Sequence, residues 1–208
     1  MSLAAGIAEG AAAMGVDLGE EAIAKLAAYL ELVEKWNRVH NLTAVREPAQ
    51  MVTLHLLDSL SILPHIAKAA TLLDVGTGAG LPGIPLAIAR PALRVTLLDS
   101  SHKKCTFLRQ AKTELLLDNV EVVCDRVENW KPESRFEVVV SRAFSDLADF
   151  IEQAKHLVAP GGRLLAMKGV YPFEEIARMP ATHRVAQVIE LRVPRLDASR
   201  HVVLVEAA

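Results

Sequence analysis

Asp74-Val75-Gly76-Thr77-Gly78-Ala79-Gly80-Leu81-Pro82-Gly83 is the stretch whose reading decides the fold. It follows a short apolar run, Thr71-Leu72-Leu73-Asp74-Val75, and precedes an apolar segment of helical character, about Pro82–Ala89. A strand that breaks on glycines and reopens as a helix leaves backbone N–H groups at the helix start. Glycine lets the chain turn sharply there, and no Cβ blocks a ligand. The same grammar repeats downstream. Strand-like runs at Arg94–Leu98, Val120–Cys124, Phe136–Val140 and Arg163–Met167 alternate with helical stretches at Ser101–Leu117 and Asp146–Val158. Alternation of this kind predicts right-handed βαβ crossovers and a parallel sheet covered on both faces.

The flanks read differently. Residues 1–70 are helical in pattern: Ile23, Leu26, Ala27, Leu30 and Val33 share one face of a helix opened by Gly19-Glu20-Glu21. Trp36, near the end of that helix, reads as a packing anchor, and a second helix is expected from about Pro48 to Leu63. At the other end, Val185–Val193 and His201–Glu206 are strand-like with no helix between them, so an antiparallel hairpin is expected to close one sheet edge. The reading is therefore a helical extension, residues 1–70, on an α/β unit, residues 71–208, in one compact whole.

Composition narrows the class. The chain has 208 residues, and 23 Lys+Arg against 25 Asp+Glu leave a net charge of −2. No apolar run reaches the roughly 18 residues of a membrane helix, and the start lacks the basic residues of an export signal. Cys105 and Cys124 are the only cysteines, which suits a reducing cytoplasm, and both read as structural. The seven histidines show no ligand spacing, so no metal is expected. The charge divides unevenly: −3 over residues 1–70, −1 over 71–150 and +2 over 151–208. Arg178, Arg184, Arg192, Arg195 and Arg200, with His102, Lys103, Lys104, Arg109 and Lys112, are expected to form a basic rim for phosphate contacts. Only nine aromatic side chains argue against base stacking as the main mode of binding.

Two cofactor readings fit the glycines. Residues 78–83 match the G-x-G-x-x-G spacing of dinucleotide sites, and residues 74–80 match the (Asp/Glu)-x-G-x-G-x-G spacing of S-adenosylmethionine enzymes. Asp99, at the end of the second strand, is placed to accept from ribose hydroxyls, which both cofactors have. Asp74, Pro82 and Pro85 favour the methyltransferase, because prolines crowd the turn where a pyrophosphate needs amides. An NAD(P)-dependent oxidoreductase and a non-catalytic cofactor-binding or ribosome-associated module remain the alternatives.

The segment Asp74–Leu86 closely resembles the glycine loop of the RsmG (GidB) family, S-adenosylmethionine-dependent methyltransferases with a seven-stranded Rossmann-like sheet. Trp36-Asn37, Asn41-Leu42-Thr43, His55-Leu56-Leu57-Asp58-Ser59, Leu97–Ser100, Phe107-Leu108-Arg109, Ser141-Arg142-Ala143 and Met167-Lys168-Gly169 resemble its other blocks. Ser199 stands where the family pattern has Glu, and Leu81 where Phe is frequent. The resemblance implies methylation of guanine N7 at one guanosine in the 530 loop of 16S ribosomal RNA. It implies that Gly76 and Leu81 border S-adenosylmethionine and that Val127 and Glu128 flank its adenine, beside the Gly78 and Asp99 already expected at the cofactor from their positions. Arg142 is expected by the methionine end or the incoming nucleotide, with Lys168 as the other reactive-centre cation. Lys103, Arg195 and Arg200 are expected on RNA, and the enzyme is read as a cytoplasmic monomer acting on 16S rRNA or the 30S particle. Guanine N7 carries a free lone pair, so no general base is required. The slot after the fourth strand reads Ser141-Arg142-Ala143-Phe144, unlike the Asn/Asp-Pro-Pro-aromatic loop of amino-group methyltransferases.

Overall fold

A run such as Leu72-Leu73-Asp74-Val75 is apolar at successive positions because a central parallel strand is buried on both faces. The computed structural model, which describes residues 2–144 and 146–208, bears this out. Strand β1 (Thr71–Val75) is buried from its second residue onward. Its alternate side chains feed two cores. Leu72 packs with Leu26, Tyr29, Ile84, Leu97 and Phe107, whereas Leu73 and Val75 pack with Leu98, Val139, Phe150 and Ile151.

The sheet has seven strands in the order β3-β2-β1-β4-β5-β7-β6. Strands β1, β2 (Arg94–Asp99), β3 (Val120–Cys124), β4 (Phe136–Ser141) and β5 (Val158–Lys168) pair in parallel. The expected hairpin is present as β6 (His183–Glu190) and β7 (His201–Ala207), and β7 inserts antiparallel between β5 and β6. Crossover helices α5 (Gly83–Ala89), α6 (His102–Glu114) and α7 (Leu147–Ala154) cover the faces. Strand order reverses between β1 and β4, and ligands bind beyond the strand ends at such a switch point.

The N-terminal segment supplies α1 (Leu3–Ala13) and α2 (Glu20–His40). Ser2 caps α1 by accepting from the Ala5 N–H, and α2 ends on Asn41 in the left-handed region, φ 47°. The single helix expected over 48–63 is instead α3 (Pro48–Met51), a π-helical turn (Val52–Leu57) and α4 (Asp58–Leu60), followed by a 3₁₀ turn (Leu63–Ile66). Periodicity cannot reveal the extra residue of a π-turn, a rare form frequent at functional sites. A short helix α8 (Phe173–Ala177) follows β5. The first core joins residues from Ile7 to Leu204, so the N-terminal helices share one apolar interior with the sheet.

The start of α5 is packed without slack. A Cβ on Gly83 would strike the Leu97 side chain and lie 2.9 Å from Asp74 Oδ2. Gly83→Ala is expected to destabilise the protein by about 1–3 kcal/mol, the usual cost of overpacking. Urea unfolding of the variant beside wild type measures it, and an unchanged midpoint would show that the loop yields.

Candidate functional site

The glycine loop is held from below. Asp74 is fully buried, and its Oδ2 accepts from Thr77 Oγ1 at 2.6 Å and from the Gly83 N–H at 2.8 Å. One carboxylate oxygen thus joins the middle of the loop to the first turn of α5. Asp74 Oδ1 has no partner, and burial pushes the carboxyl up to about 7. From above, the buried Tyr29 hydroxyl donates to the Ala79 carbonyl at 2.7 Å. Gly76 takes φ 67°, and a Cβ there would lie 2.9 Å from the Ala143 Cβ, so β1 and β4 approach closely where they leave the sheet.

A cavity of about 480 Å³ opens beyond the ends of β1 to β4. Gly76, Asp99, Val127 and Glu128 all line it, with Lys104 and Ala143. Asp99 is buried; Oδ2 accepts from the Gly78 N–H at 2.9 Å, Oδ1 from the Ser101 N–H at 2.9 Å, and Lys104 Nζ stands 3.6 Å away. Each oxygen retains acceptor capacity for a hydroxyl. Val127 offers a buried apolar wall, and Glu128, half exposed, lies 3.5 Å from Arg126. An enclosed acceptor pair beside an apolar wall and a Cβ-free turn suits a ribonucleoside. A larger cavity of about 520 Å³ lies at the opposite ends of β4 and β5, by Glu137 and Arg163. It is on the wrong side for the switch-point rule.

A second cavity, about 440 Å³, gathers Leu54, His55, Asp58, Arg142, Met167, Lys168, Gly169, Arg200 and His201. Its polar framework is centred on Asp58. That buried carboxylate takes Arg142 Nη1 on Oδ2 at 2.9 Å and Arg200 Nε on Oδ1 at 3.1 Å. Arg142 Nη1 also donates to the Leu54 carbonyl, within the π-turn, at 3.2 Å. Lys168 Nζ bonds the Phe144 carbonyl at 3.1 Å and Glu175 at 2.7 Å. His55 Nε2 lies 2.9 Å from Thr43 Oγ1; burial, then the Arg142 charge, lower its pKa to about 4, so it is neutral at neutral pH.

Three expectations about placement need correction. Leu81 is buried in the first core, its side chain packed inward as the loop turns into α5, and neither it nor Gly78 is among the residues that line the nucleoside cavity. Arg195 pairs with Glu9 of α1 at 2.6 Å and lines neither cavity. Arg178 and Arg184 pair with Asp146 and Glu206, so the tail arginines do not form one rim. Lys103 is exposed on the first turn of α6, beside the nucleoside cavity that Lys104 lines. Asp58 and Tyr29 were not singled out by sequence reasoning. The His-Leu-Leu-Asp-Ser block contains Asp58, but only the tertiary fold supplies its two arginines. Cys105 donates to the Asp99 carbonyl at 3.2 Å, and burial pushes its thiol up to about 12, which leaves no thiolate for attack. Among the described residues, no cluster of three or more His, Cys, Asp or Glu is set to hold a metal, and no helix is long and apolar enough to cross a membrane.

The strand order, the glycine turn and the acid ending β2 together define a class I S-adenosylmethionine-dependent methyltransferase. The fold is shared with an O-methyltransferase from Bacillus cereus in complex with SAH: TM-score 0.58, 21% identity, 87% of this chain and 91% of that one covered. Residues 22–203 match the family model GidB, rRNA small subunit methyltransferase G. The ribosomal RNA small subunit methyltransferase G of Nitrosospira multiformis is 53% identical over 100% of this chain and 99% of its own length. That of Burkholderia pseudomallei is 55% identical over 99% and 91%. The chain belongs to the rRNA small subunit methyltransferase G family and is an S-adenosylmethionine-dependent rRNA methyltransferase. Membership replaces the oxidoreductase and non-catalytic alternatives.

The buried carboxyl carries a pH signature. Free Asp ionises near 3.8, whereas folded Asp74 keeps its proton to about 7. The folded state therefore binds the extra proton between these values. The resulting stabilisation is complete below about pH 4 and is lost as pH rises through 7. Wild type is expected to lose stability relative to Asp74→Asn between pH 5 and pH 8. Urea midpoints of both proteins at the two pH values test this, and parallel changes would rule it out.

Proposed function

We propose that this chain transfers a methyl group from S-adenosylmethionine to N7 of a guanosine in the 530 loop of 16S rRNA, presented by a 30S particle, and works as a cytoplasmic monomer. The observation that carries the reading is that two cavities open at the end of β4, lined by neighbouring residues. Ala143 lines the nucleoside cavity and its neighbour Arg142 lines the cationic one. Donor and acceptor chambers lined by adjacent residues would suit an in-line transfer, in which approach geometry dominates the rate.

S-adenosylmethionine, when bound, supplies an electrophilic methyl on a sulfonium. Asp99, held by the Gly78 N–H, would accept from the ribose hydroxyls, Val127 and Glu128 would flank the adenine, and the backbone at Gly76 would border the cofactor. In the other chamber, Arg142, Lys168 and Arg200 would hold the nucleotide. Both bonds of Arg142 described above use Nη1, leaving Nη2 and Nε for a phosphate or guanine O6 while N7 stays open to attack. Asp58, through two bonds, would fix both arginines before the RNA arrives. No residue is needed to remove a proton, and His55, whose pKa is lowered to about 4 by burial and then by Arg142, would be a weak base at neutral pH.

Two substitutions separate the chambers. Asp99→Asn is expected to weaken binding of radiolabelled S-adenosylmethionine about 10- to 100-fold, on the scale of hydrogen bonds to a charged acceptor. Retained affinity would remove Asp99 from the ribose. Arg142→Ala is expected to keep cofactor binding but lower methyl transfer to unmethylated 30S particles about 10²- to 10³-fold, the usual loss of a positioned donor. Normal turnover would remove Arg142 from the reaction.

A further inference from the structure

Five large apolar side chains are exposed among the described residues: Val39, Leu116, Val170, Tyr171 and Phe173. Three of them fall within four consecutive positions, Val170 and Tyr171 in the turn after β5 and Phe173 as the first residue of α8. Singly exposed apolar side chains are ordinary, but a contiguous group marks a contact surface. Of the nine aromatic side chains, only Tyr171 and Phe173 are exposed, at 39% and 73%.

The turn is built to hold the two rings together. Pro172, at φ −89° and ψ 59°, sits in an inverse γ-turn closed by the Phe173 N–H donating to the Tyr171 carbonyl at 3.1 Å. Proline restricts φ, so the turn loses little entropy on binding. The ring centroids lie 4.2 Å apart with planes inclined at 34°. Tyr171 also meets His201 edge-on at 5.7 Å, and His201 Nδ1 lies 3.1 Å from the Gly169 carbonyl. Gly169 and His201 both line the cationic chamber. Glu175, from α8, pairs with Lys168, and Arg178, just past it, pairs with Asp146, so the projecting turn is tied at its base.

Rings this close lie over one another, so each covers one face of its neighbour, and the more exposed ring, Phe173, keeps a face open to a further planar group. Beside three cations, that stack suits a base whose phosphate lies over those cations. A bare apolar contact would not need them. We infer that Tyr171 and Phe173 form a stacking platform for an unpaired base of the rRNA substrate, next to the guanosine that enters the cationic chamber. This rests on the RNA-methyltransferase reading and adds to it a second nucleotide subsite. Base stacking on an aromatic side chain tolerates any base, so the platform adds affinity and orientation rather than sequence choice.

The test is steady-state methylation of 30S particles lacking the modification, with cofactor affinity measured separately. The Tyr171→Ala/Phe173→Ala double variant is expected to raise KM for the particle about tenfold, with S-adenosylmethionine binding unchanged. Tyr171→Phe is expected to behave as wild type, because the ring is retained. The Tyr171→Leu/Phe173→Leu pair is expected to be as impaired as the alanine pair. Full recovery by leucine would mean an apolar contact with a protein partner and overturn the platform. Unchanged KM in the alanine pair, with an active wild type, would overturn the platform alone. A wild type inactive on the particle would overturn both the substrate reading and the platform built on it.

Discussion

The two bonds that Asp74 Oδ2 accepts, from the Thr77 hydroxyl and the Gly83 amide, fix the loop on which the nucleoside cavity is built. A loop with Gly76, Gly78 and Gly80 at positive φ has many conformations available in the unfolded chain, and choosing one is costly. The carboxyl offsets that cost by bridging the loop to α5 where no water competes. Its own burial is unfavourable, as the shift to about 7 records. The loop in turn presents the Gly78 N–H to Asp99, which aims the acid at the end of β2 into the nucleoside cavity. Loop shape and the placement of the Asp99 carboxylate are therefore one construction, and Tyr29 on Ala79 clamps it from the helical side.

The N-terminal helices do more than cover the sheet. They carry Leu54, His55 and Asp58 to the mouth beyond β4 and β5 and so form one wall of the cationic chamber. A lone buried carboxylate would be unfavourable there, and two guanidiniums facing each other would repel. Asp58 between Arg142 and Arg200 removes both penalties and leaves a partly exposed pair of forks. The π-turn turns one more backbone acceptor, the Leu54 carbonyl, to the same arginine. Residues 1–70 are thus part of the proposed acceptor site, which a division into extension and catalytic unit conceals.

What the amino-acid order made legible follows from range. β1, its glycine turn and Asp99 were readable because a continuous apolar run and the need for positive φ are local properties. Arg142 was readable because it directly follows a buried strand. Asp58 was not readable as a counter-ion: its partners lie 84 and 142 residues away. The same holds for Tyr29, whose acceptor is 50 residues distant. Leu81 sits inside the motif, yet its side chain turns into the core, because a motif specifies backbone and not the direction of each side chain. Arg195 looked available for RNA until the fold placed α1, with Glu9, against it.

The net charge of −2 acquires meaning only with these pairings. At the mouth, Arg142, Lys168 and Arg200 face Asp58 and Glu175, so three cations leave one net positive charge there. Long-range attraction for a polyanion is correspondingly weak. Pairing has a second consequence: the cationic heads are already oriented, so less side-chain entropy is lost when a phosphate or base edge arrives. A site with little steering and high preorganisation discriminates by fit. Such a site favours any target whose own shape is fixed over an extended strand that must be ordered on contact.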